Sequence, residues 1–370
     1  MSNFHSLKIK EVKKETAEAV SVTFEVPANL KEIFEYKPGQ YLTLKTNLNG
    51  QEQRRAYSIC TSPYVEKELT IAIKKVKNGV VSTFLNTQLK AGDNLEVMSA
   101  QGRFTPTLNA ENKKNYFLFG GGSGITPLIS IAKSVLEVEP KSKIHLLYGN
   151  LNEESIIFKE QLDQLQNRYS GQFLVTYVLA QPKVEKEGGV FGLFKKSKTS
   201  WDGKVGILDK KMVNSFVQEH SNGDFSTAMA FLCGPGEMMK STEELLLSLG
   251  MTDKQVMVEW FSDPNAKPAA QTTATGVVDG ATVIANIGNK THTFTVDSKE
   301  SILDAMRRLN MDPPYSCLAG ACATCMAKVT KGSVKMDTCF ALDKTEISEG
   351  YCLTCQSHPT SPEVELTFKV

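Results

Sequence analysis

The period of hydrophobic positions changes twice along the chain. From Met1 to about Leu108, apolar residues alternate with polar ones or gather in short β-branched runs, as at Leu7–Val12, Ala19–Val26 and Leu69–Val76. A period of two over a handful of residues marks a strand with one buried face. Pro38-Gly39 and Gly92-Asp93 supply turns. An antiparallel β-barrel over residues 1–108 is expected. Across residues 109–263, short apolar runs alternate with amphipathic stretches. Tyr116–Phe119 precedes a helix to about Val138, and strands follow at Lys143–Gly149, Phe173–Ala180 and Ala228–Cys233. That alternation predicts an α/β doubly wound sheet. Residues 264–276 have no apolar period, are rich in Ala, Thr and Pro, and read as a linker. Residues 277–370 read as α+β: a hairpin over Gly276–Ile287 and Lys290–Val296, a helix over Lys299–Leu309, then strands at Val334–Met336 and Glu363–Phe368.

Composition narrows the class. The chain has 370 residues, 41% hydrophobic and 22% charged, with a formal net charge of +1. Such a balance gives no bulk attraction to nucleic acid or to a membrane surface. No apolar run is long enough to span a bilayer, and Met1–Lys14 lacks the apolar core of a signal peptide. The eight cysteines do not read as a disulfide framework in a chain of this length, so a reducing cytoplasm is expected. Pro182–Lys204, rich in Gly and Lys, reads as a surface loop with Lys195-Lys196 as a solvated charge run.

The cysteines carry the strongest signal. Four residues separate Cys317 from Cys322, two separate Cys322 from Cys325, and 29 separate Cys325 from Cys355. C-x4-C-x2-C with a distant fourth cysteine is the spacing that holds a plant-type 2Fe–2S cluster. A zinc site would usually show paired C-x2-C knuckles, and only one such pair is present. Ala319, Gly320, Ala321 and Ala323 are small enough for the backbone to wrap an anionic cluster and aim N–H groups at its sulfurs. Gly320 also permits a backbone angle that other residues resist. Cys352 competes with Cys355 on spacing alone.

Further motifs suit bound nucleotides. In Arg54-Arg55-Ala56-Tyr57-Ser58, Arg55 and Tyr57 share one face of a strand. A guanidinium there can hold a phosphate while a phenol ring packs on a flat heterocycle. Gly79-Val80-Val81-Ser82 opens a helix whose free N–H groups favour anions, or Ser82 is a plain cap. Gly120-Gly121-Gly122-Ser123-Gly124-Ile125-Thr126-Pro127 joins a strand to a helix, with Pro127 expected at the first helical position. Strand, Gly-rich turn and helix N-terminus together cradle a pyrophosphate. Cys233-Gly234-Pro235-Gly236 ends another apolar strand, where α/β sheets bind ligands, although a buried small hydrophobe is the plain reading of Cys233.

In this order the motifs resemble the ferredoxin–NADP reductase family with a C-terminal plant-type ferredoxin domain of β-grasp fold. The resemblance implies FAD, NAD(P)H and a 2Fe–2S cluster as cofactors. It implies that Arg55 contacts the flavin pyrophosphate, Tyr57 (after Ala56) packs on the isoalloxazine, Ser58 lies near the reactive nitrogen, and Gly79, Val80, Val81 and Ser82 support the phosphates. Gly121, Gly122, Ser123, Gly124 and Thr126, with Cys233, Gly234 and Pro235, are then the NAD(P)-binding set. Ser58, Cys233 and Glu259 would surround hydride transfer, Phe261 would shield the flavin, and Cys355 would be the fourth ligand within Leu353-Thr-Cys-Gln. After Tyr148-Gly149-Asn150 the chain has Leu151-Asn152-Glu153-Glu154 where NADPH-using relatives often carry an arginine, and no acid clearly takes the ribose position, so coenzyme choice stays open. The implied activity is that of an NAD(P)H-dependent reductase passing electrons through FAD and the cluster to an oxygenase, most like the phenylacetyl-CoA epoxidase type. Another Rieske or diiron oxygenase or a hybrid-cluster protein is the alternative acceptor, and a redox-sensing carrier module without turnover is the alternative class.

Overall fold

The structure is a computed structural model that describes residues 4–186, 197–221, 223–261 and 276–368. The expected linker at 264–276 lies outside the described residues except for Gly276. Three sheets account for the three patterns.

The first is all antiparallel: β1 (Phe4–Thr16), β2 (Ala19–Glu25), β3 (Tyr41–Leu48), β4 (Gln51–Ser58), β5 (Leu69–Lys74) and β6 (Asn94–Met98), in the order β4-β3-β6-β1-β2-β5. A bridge between Ile59 and Ile71 brings the two outer strands together and closes the barrel. Leu7, Ile9, Val22, Phe24, Leu42, Leu44, Ile71 and Ile73 fill its core. The helix α1 (Val80–Thr87) follows β5.

The second sheet is all parallel: β7 (Asn115–Gly121), β8 (Lys143–Asn150), β9 (Phe173–Leu179), then, beyond the small antiparallel pair β10 (Val184–Lys186) and β11 (Ser197–Thr199), β12 (Lys204–Val205), β13 (Ala228–Cys233) and β14 (Val256–Glu259). The order is β12-β9-β8-β7-β13-β14. Alternate residues of each central strand serve opposite faces. Tyr116, Leu118, Ile144, Leu146 and Phe231 pack with α2 (Ile125–Val138) and α3 (Lys159–Arg168). Phe117, Phe119, Leu147, Ala230 and Leu232 pack with α4 (Lys210–Ser221) and α5 (Gly236–Ser248). Burial on both faces is why these strands read as continuous apolar runs. Cys60, Ala72 and Phe104 of the barrel join the α2 side, so one apolar cluster spans both units. Pro127 is the third residue of α2, not the first. Its missing N–H is still harmless, because the first four amides of a helix have no partner within it.

The third sheet contains β15 (Ala281–Ile287), β16 (Lys290–Val296), β17 (Met326–Lys331), β19 (Tyr351–Leu353) and β21 (Glu363–Phe368), in the order β16-β15-β21-β17-β19. β18 (Val334–Met336) pairs with β20 (Ser357–Pro359). The helix α6 (Ile302–Arg308), capped by the Ser301 side chain, lies across the sheet, and α7 (Lys344–Ser348) follows the cluster-loop region. Among the described residues, no helix is long and apolar enough to cross a membrane.

Candidate functional site

A cavity of about 400 Å³ lies where the three units meet. The barrel lines it with Tyr41, Gln53, Arg55, Ala56, Tyr57 and Ser58, and the entry to α1 with Gly79, Val80, Val81 and Ser82. The Gly-rich turn contributes Ser123 and Thr126, the end of β14 contributes Glu259, Trp260 and Phe261, and the cysteine loop contributes Cys317, Ala321 and Cys322. Residues scattered over more than 260 positions of sequence thus share one space. A second cavity shares Leu48, Asn49, Asn78, Gly79 and Val80 with the first and continues past Thr83 and Phe84. A long, two-part ligand suits that shape.

The barrel end is built by strand alternation. Gln53, Arg55 and Tyr57 look into the cavity from β4, while Glu52 and Arg54 look the other way. Arg55 is steadied by donating to the Arg54 carbonyl (2.7 Å). Burial raises the Tyr57 phenol, keeping it a neutral ring face. Ser82 is already engaged: its hydroxyl accepts from Val76 N (3.1 Å) and donates to Gly79 O (3.2 Å). It locks the turn, and the free amides at the start of α1 remain the anion-binding element.

Ser58 and Glu259 meet directly, the hydroxyl donating to the carboxyl (3.2 Å). Glu259 sits deep in the cavity, and desolvation pushes its carboxyl up to about 8. Burial thus favours its neutral, proton-bearing form. Cys233 pairs in register with Glu259 across β13 and β14, yet it is fully buried and does not line the cavity. Desolvation, with the Glu259 charge adding to it, pushes its thiol well above the usual range.

Gly121, Gly122, Gly124, Gly234 and Pro235 are not on the cavity lining either. They explain how two turns fit together. A Cβ on Gly124 would stand 1.9 Å from the Cys233 carbonyl oxygen, and one on Gly121 would stand 2.4 Å from Pro235 Cδ. The Gly-rich turn and the Cys-Gly-Pro turn therefore touch backbone to backbone, which no larger residue permits.

The cysteine loop fits a two-iron cluster. Cys317 donates to Cys322, and Cys325 donates to Cys355, which raises each donor thiol and lowers each receiver. Among the described residues no three His, Cys, Asp or Glu side chains converge on one metal position. Two thiol pairs suit two irons with two thiolates each, whereas zinc would gather four ligands around one point. The Ala319 amide donates to Cys317 Sγ (3.4 Å), the Gly320 amide supports Cys355, and Gly320 has φ +67°. Cys352 is also buried but pairs with neither set.

Several residues with no motif of their own hold the cysteine domain against the rest. Arg54 is 4% exposed, donates to Asp312 Oδ1 (2.8 Å) and the Pro313 carbonyl (3.3 Å), and lies 4.2 Å from the Tyr315 ring centroid. Arg103 donates to the Ala341 carbonyl (2.6 Å) and pairs with Glu346. Trp260 stacks on Phe340 at 4.7 Å. Tyr41 and Gln101 both meet Thr324, between the two candidate ligands Cys322 and Cys325. Thr324 lies inside the cysteine motif and Arg54 beside Arg55, but neither position signals a contact between domains.

Comparison with known proteins agrees with this architecture. Family profiles match at residues 6–105 (oxidoreductase FAD-binding domain), 118–244 (oxidoreductase NAD-binding domain) and 285–360 (2Fe-2S iron-sulfur cluster binding domain). The chain is 34% identical to a subunit of 1,2-phenylacetyl-CoA epoxidase from Escherichia coli K12, over 100% of this chain and 98% of the relative. It is 31% identical to the ferredoxin reductase component of 3-ketosteroid-9-alpha-monooxygenase of Rhodococcus rhodochrous, over 98% and 96%. The solved structure of phthalate dioxygenase reductase has a similar fold, with a TM-score of 0.58 and 21% identity over 99% of this chain and 98% of that one. The chain belongs to the ferredoxin reductase family, in which NAD(P)H supplies electrons through FAD to a 2Fe–2S cluster.

Proposed function

We propose that this chain is the reductase component of an oxygenase, of the kind that serves phenylacetyl-CoA epoxidase, and that it works in the cytoplasm. The observation that carries the reading is the single cavity in which Arg55, Tyr57 and Ser58 face Glu259 on one side and Cys317 and Cys322 on another. FAD and a 2Fe–2S cluster held by these residues would supply the change from two-electron to one-electron transfer, chemistry that belongs to the cofactors.

The chain's own groups bind, orient and protect. Arg55 and the α1 amides, with Gly79 and Ser82 shaping the turn, hold the flavin phosphates. Tyr57 would cover one ring face, and Phe261, 39% exposed at the cavity edge, would cover the other. Ser58 contacts the ring edge, and Glu259 holds a proton beside it. Ser123 and Thr126 hold the coenzyme phosphates on the turn that Gly121, Gly122, Gly124, Gly234 and Pro235 shape. Cys233, buried beside Glu259 on the neighbouring strand, would back the nicotinamide site. Cys317, Cys322, Cys325 and Cys355 hold the cluster. Eight cysteines without a disulfide suit a reducing compartment. A visible spectrum with flavin extraction, followed by anaerobic titration with NADH and with NADPH, tests the assignment. FAD and the bands of a 2Fe–2S cluster are expected, with both bleaching on coenzyme addition. Reconstituted turnover with an epoxidase oxygenase tests the acceptor, and no transfer to any diiron or Rieske oxygenase would overturn it.

A further inference from the structure

The hydroxyl of Thr324 stands at a crossing of three polar contacts. Its Oγ1 is 3.4 Å from Cys322 Sγ, 3.0 Å from the Tyr41 hydroxyl and 3.1 Å from the Gln101 side-chain amide. Thr324 and Cys322 belong to the cysteine loop, whereas Tyr41 and Gln101 belong to the barrel. Three members are buried, Tyr41 being 7% exposed, Cys322 7% and Thr324 8%, while Gln101 is half-buried. Tyr41 and Gln101 are rigidly held. Each donates its backbone N–H to the other's carbonyl (2.9 Å for both), and Tyr41 pairs in register with Ser58. A Cβ at Gly102 would stand 3.1 Å from the Tyr41 ring, so the ring has a fitted slot.

Hydrogen-bond inventory decides how this crossing behaves. A threonine hydroxyl has one proton to give and two lone pairs to fill. As a free thiol, Cys322 donates to Thr324, and Thr324 donates to Gln101. As a cluster ligand, Cys322 is a thiolate and can only accept. One arrangement then puts a donor on that thiolate. Tyr41 O–H and the Gln101 amide N–H, its side-chain amide turned over, fill both lone pairs of Thr324, whose single proton points at Cys322 Sγ. Hydrogen bonds to a ligand sulfur stabilise the more negative, reduced cluster and raise its potential.

We propose that Tyr41 and Gln101 of the barrel tune the cluster across the domain boundary by orienting the Thr324 hydroxyl onto Cys322, Thr324 and Tyr41 being positioning residues. With the cysteine domain seated on the barrel, the cluster is the better electron acceptor for the flavin. Off the barrel, Thr324 loses both partners that fix its proton, and the same cluster becomes the better donor to the acceptor protein. No bond is made or broken, and the electron moved is the one the established activity already moves.

The inference rests on the cluster assignment, so the test records that first. Full-length protein carrying flavin and cluster is titrated anaerobically, with the reduced cluster followed by electron paramagnetic resonance. Tyr41→Phe and Thr324→Val should each lower the cluster midpoint, by an amount equivalent to an about tenfold shift in the one-electron equilibrium, or about 59 mV. The double variant should match Thr324→Val alone, because Tyr41 acts only through that hydroxyl. Thr324→Ser, which keeps the hydroxyl, should restore the native value. An unshifted midpoint in Tyr41→Phe overturns the proposal, as does an additive double variant. If Thr324→Val fails to assemble a cluster, Tyr41→Phe and Thr324→Ser decide the matter. Native protein lacking both cofactor bands overturns the electron-transfer reading and the tuning together.

Discussion

Replacing Arg54 with Met should separate the two halves of the electron path. The guanidinium crosses the domain boundary with one bond to the half-exposed Asp312 carboxylate, one to the Pro313 carbonyl, and a stack on Tyr315. Hydrogen bonds to charged groups contribute ~1.5–3 kcal/mol when buried, and the low end applies beside a solvated acid. The cation–π contact contributes ~0.5–2 kcal/mol. Met keeps the apolar stem and lets Asp312 return to water. The seated arrangement should therefore lose ~2–4 kcal/mol, a fall of roughly 30- to 800-fold in its equilibrium constant. Arg54 is not on the cavity lining, so flavin reduction by coenzyme should keep its native rate. Anaerobic stopped-flow mixing resolves the two phases as flavin bleaching and cluster bleaching. Cluster reduction should slow by about tenfold or more. A cluster phase within about twofold of native, in a variant with native thermal stability, would refute the claim that Arg54 holds the seated pose.

Three more expectations follow from the site. Cys355→Ser should abolish the cluster bands and leave flavin reduction intact, whereas Cys352→Ser should keep the bands; the opposite pattern would reassign the fourth ligand. Glu259 has a folded value of about 8 against 4.5 in the open chain, so its neutral form is favoured by folding. That stability is complete below about pH 4.5 and is lost as pH rises through 8, by at most about 1.4 kcal/mol per pH unit. Cofactor-free wild type should thus weaken against Glu259→Gln between pH 5 and 8 in urea titrations, and parallel curves would contradict it. NADH should be preferred to NADPH by about tenfold or more in kcat/KM: Glu153 and Glu154 follow β8, and Lys183 is committed to them, its amide to Glu153 (3.1 Å) and its ammonium to Glu154. Equal specificity constants would show that the 2′-phosphate is accommodated elsewhere.

What the sequence disclosed depended on how local the cause was. Three cysteines on one loop are local, so a cluster spacing could be read directly, whereas Arg55, Tyr57 and Ser58 acquired a role only through the family resemblance. The doubly wound sheet was legible because burial on both faces leaves unbroken apolar runs. The strand β17, which starts directly after Cys325, escaped notice because its Met326–Lys331 run alternates Lys with mixed residues. Cys233 was expected at the reacting centre, and its strand position does place it next to Glu259, but a buried face keeps the thiol out of the cavity. Gly121, Gly124 and Gly234 looked like a phosphate cradle; their first requirement is the contact of one turn with another. Arg54, Trp260 and Tyr41 were invisible as a group because their partners lie some 80 to 280 residues away, set by the meeting of domains.

The alternation of β4 has a consequence for how such reductases can diverge. One strand speaks to the cavity through Gln53, Arg55 and Tyr57 and to the cysteine domain through Glu52 and Arg54. An insertion or deletion of one residue in β4 would exchange the two sets, turning the cofactor residues outward and the docking residues inward. Both faces would be disturbed in a single event, whereas a substitution on one face leaves the other in place. Partner choice and cofactor choice can then drift independently along a segment whose length cannot.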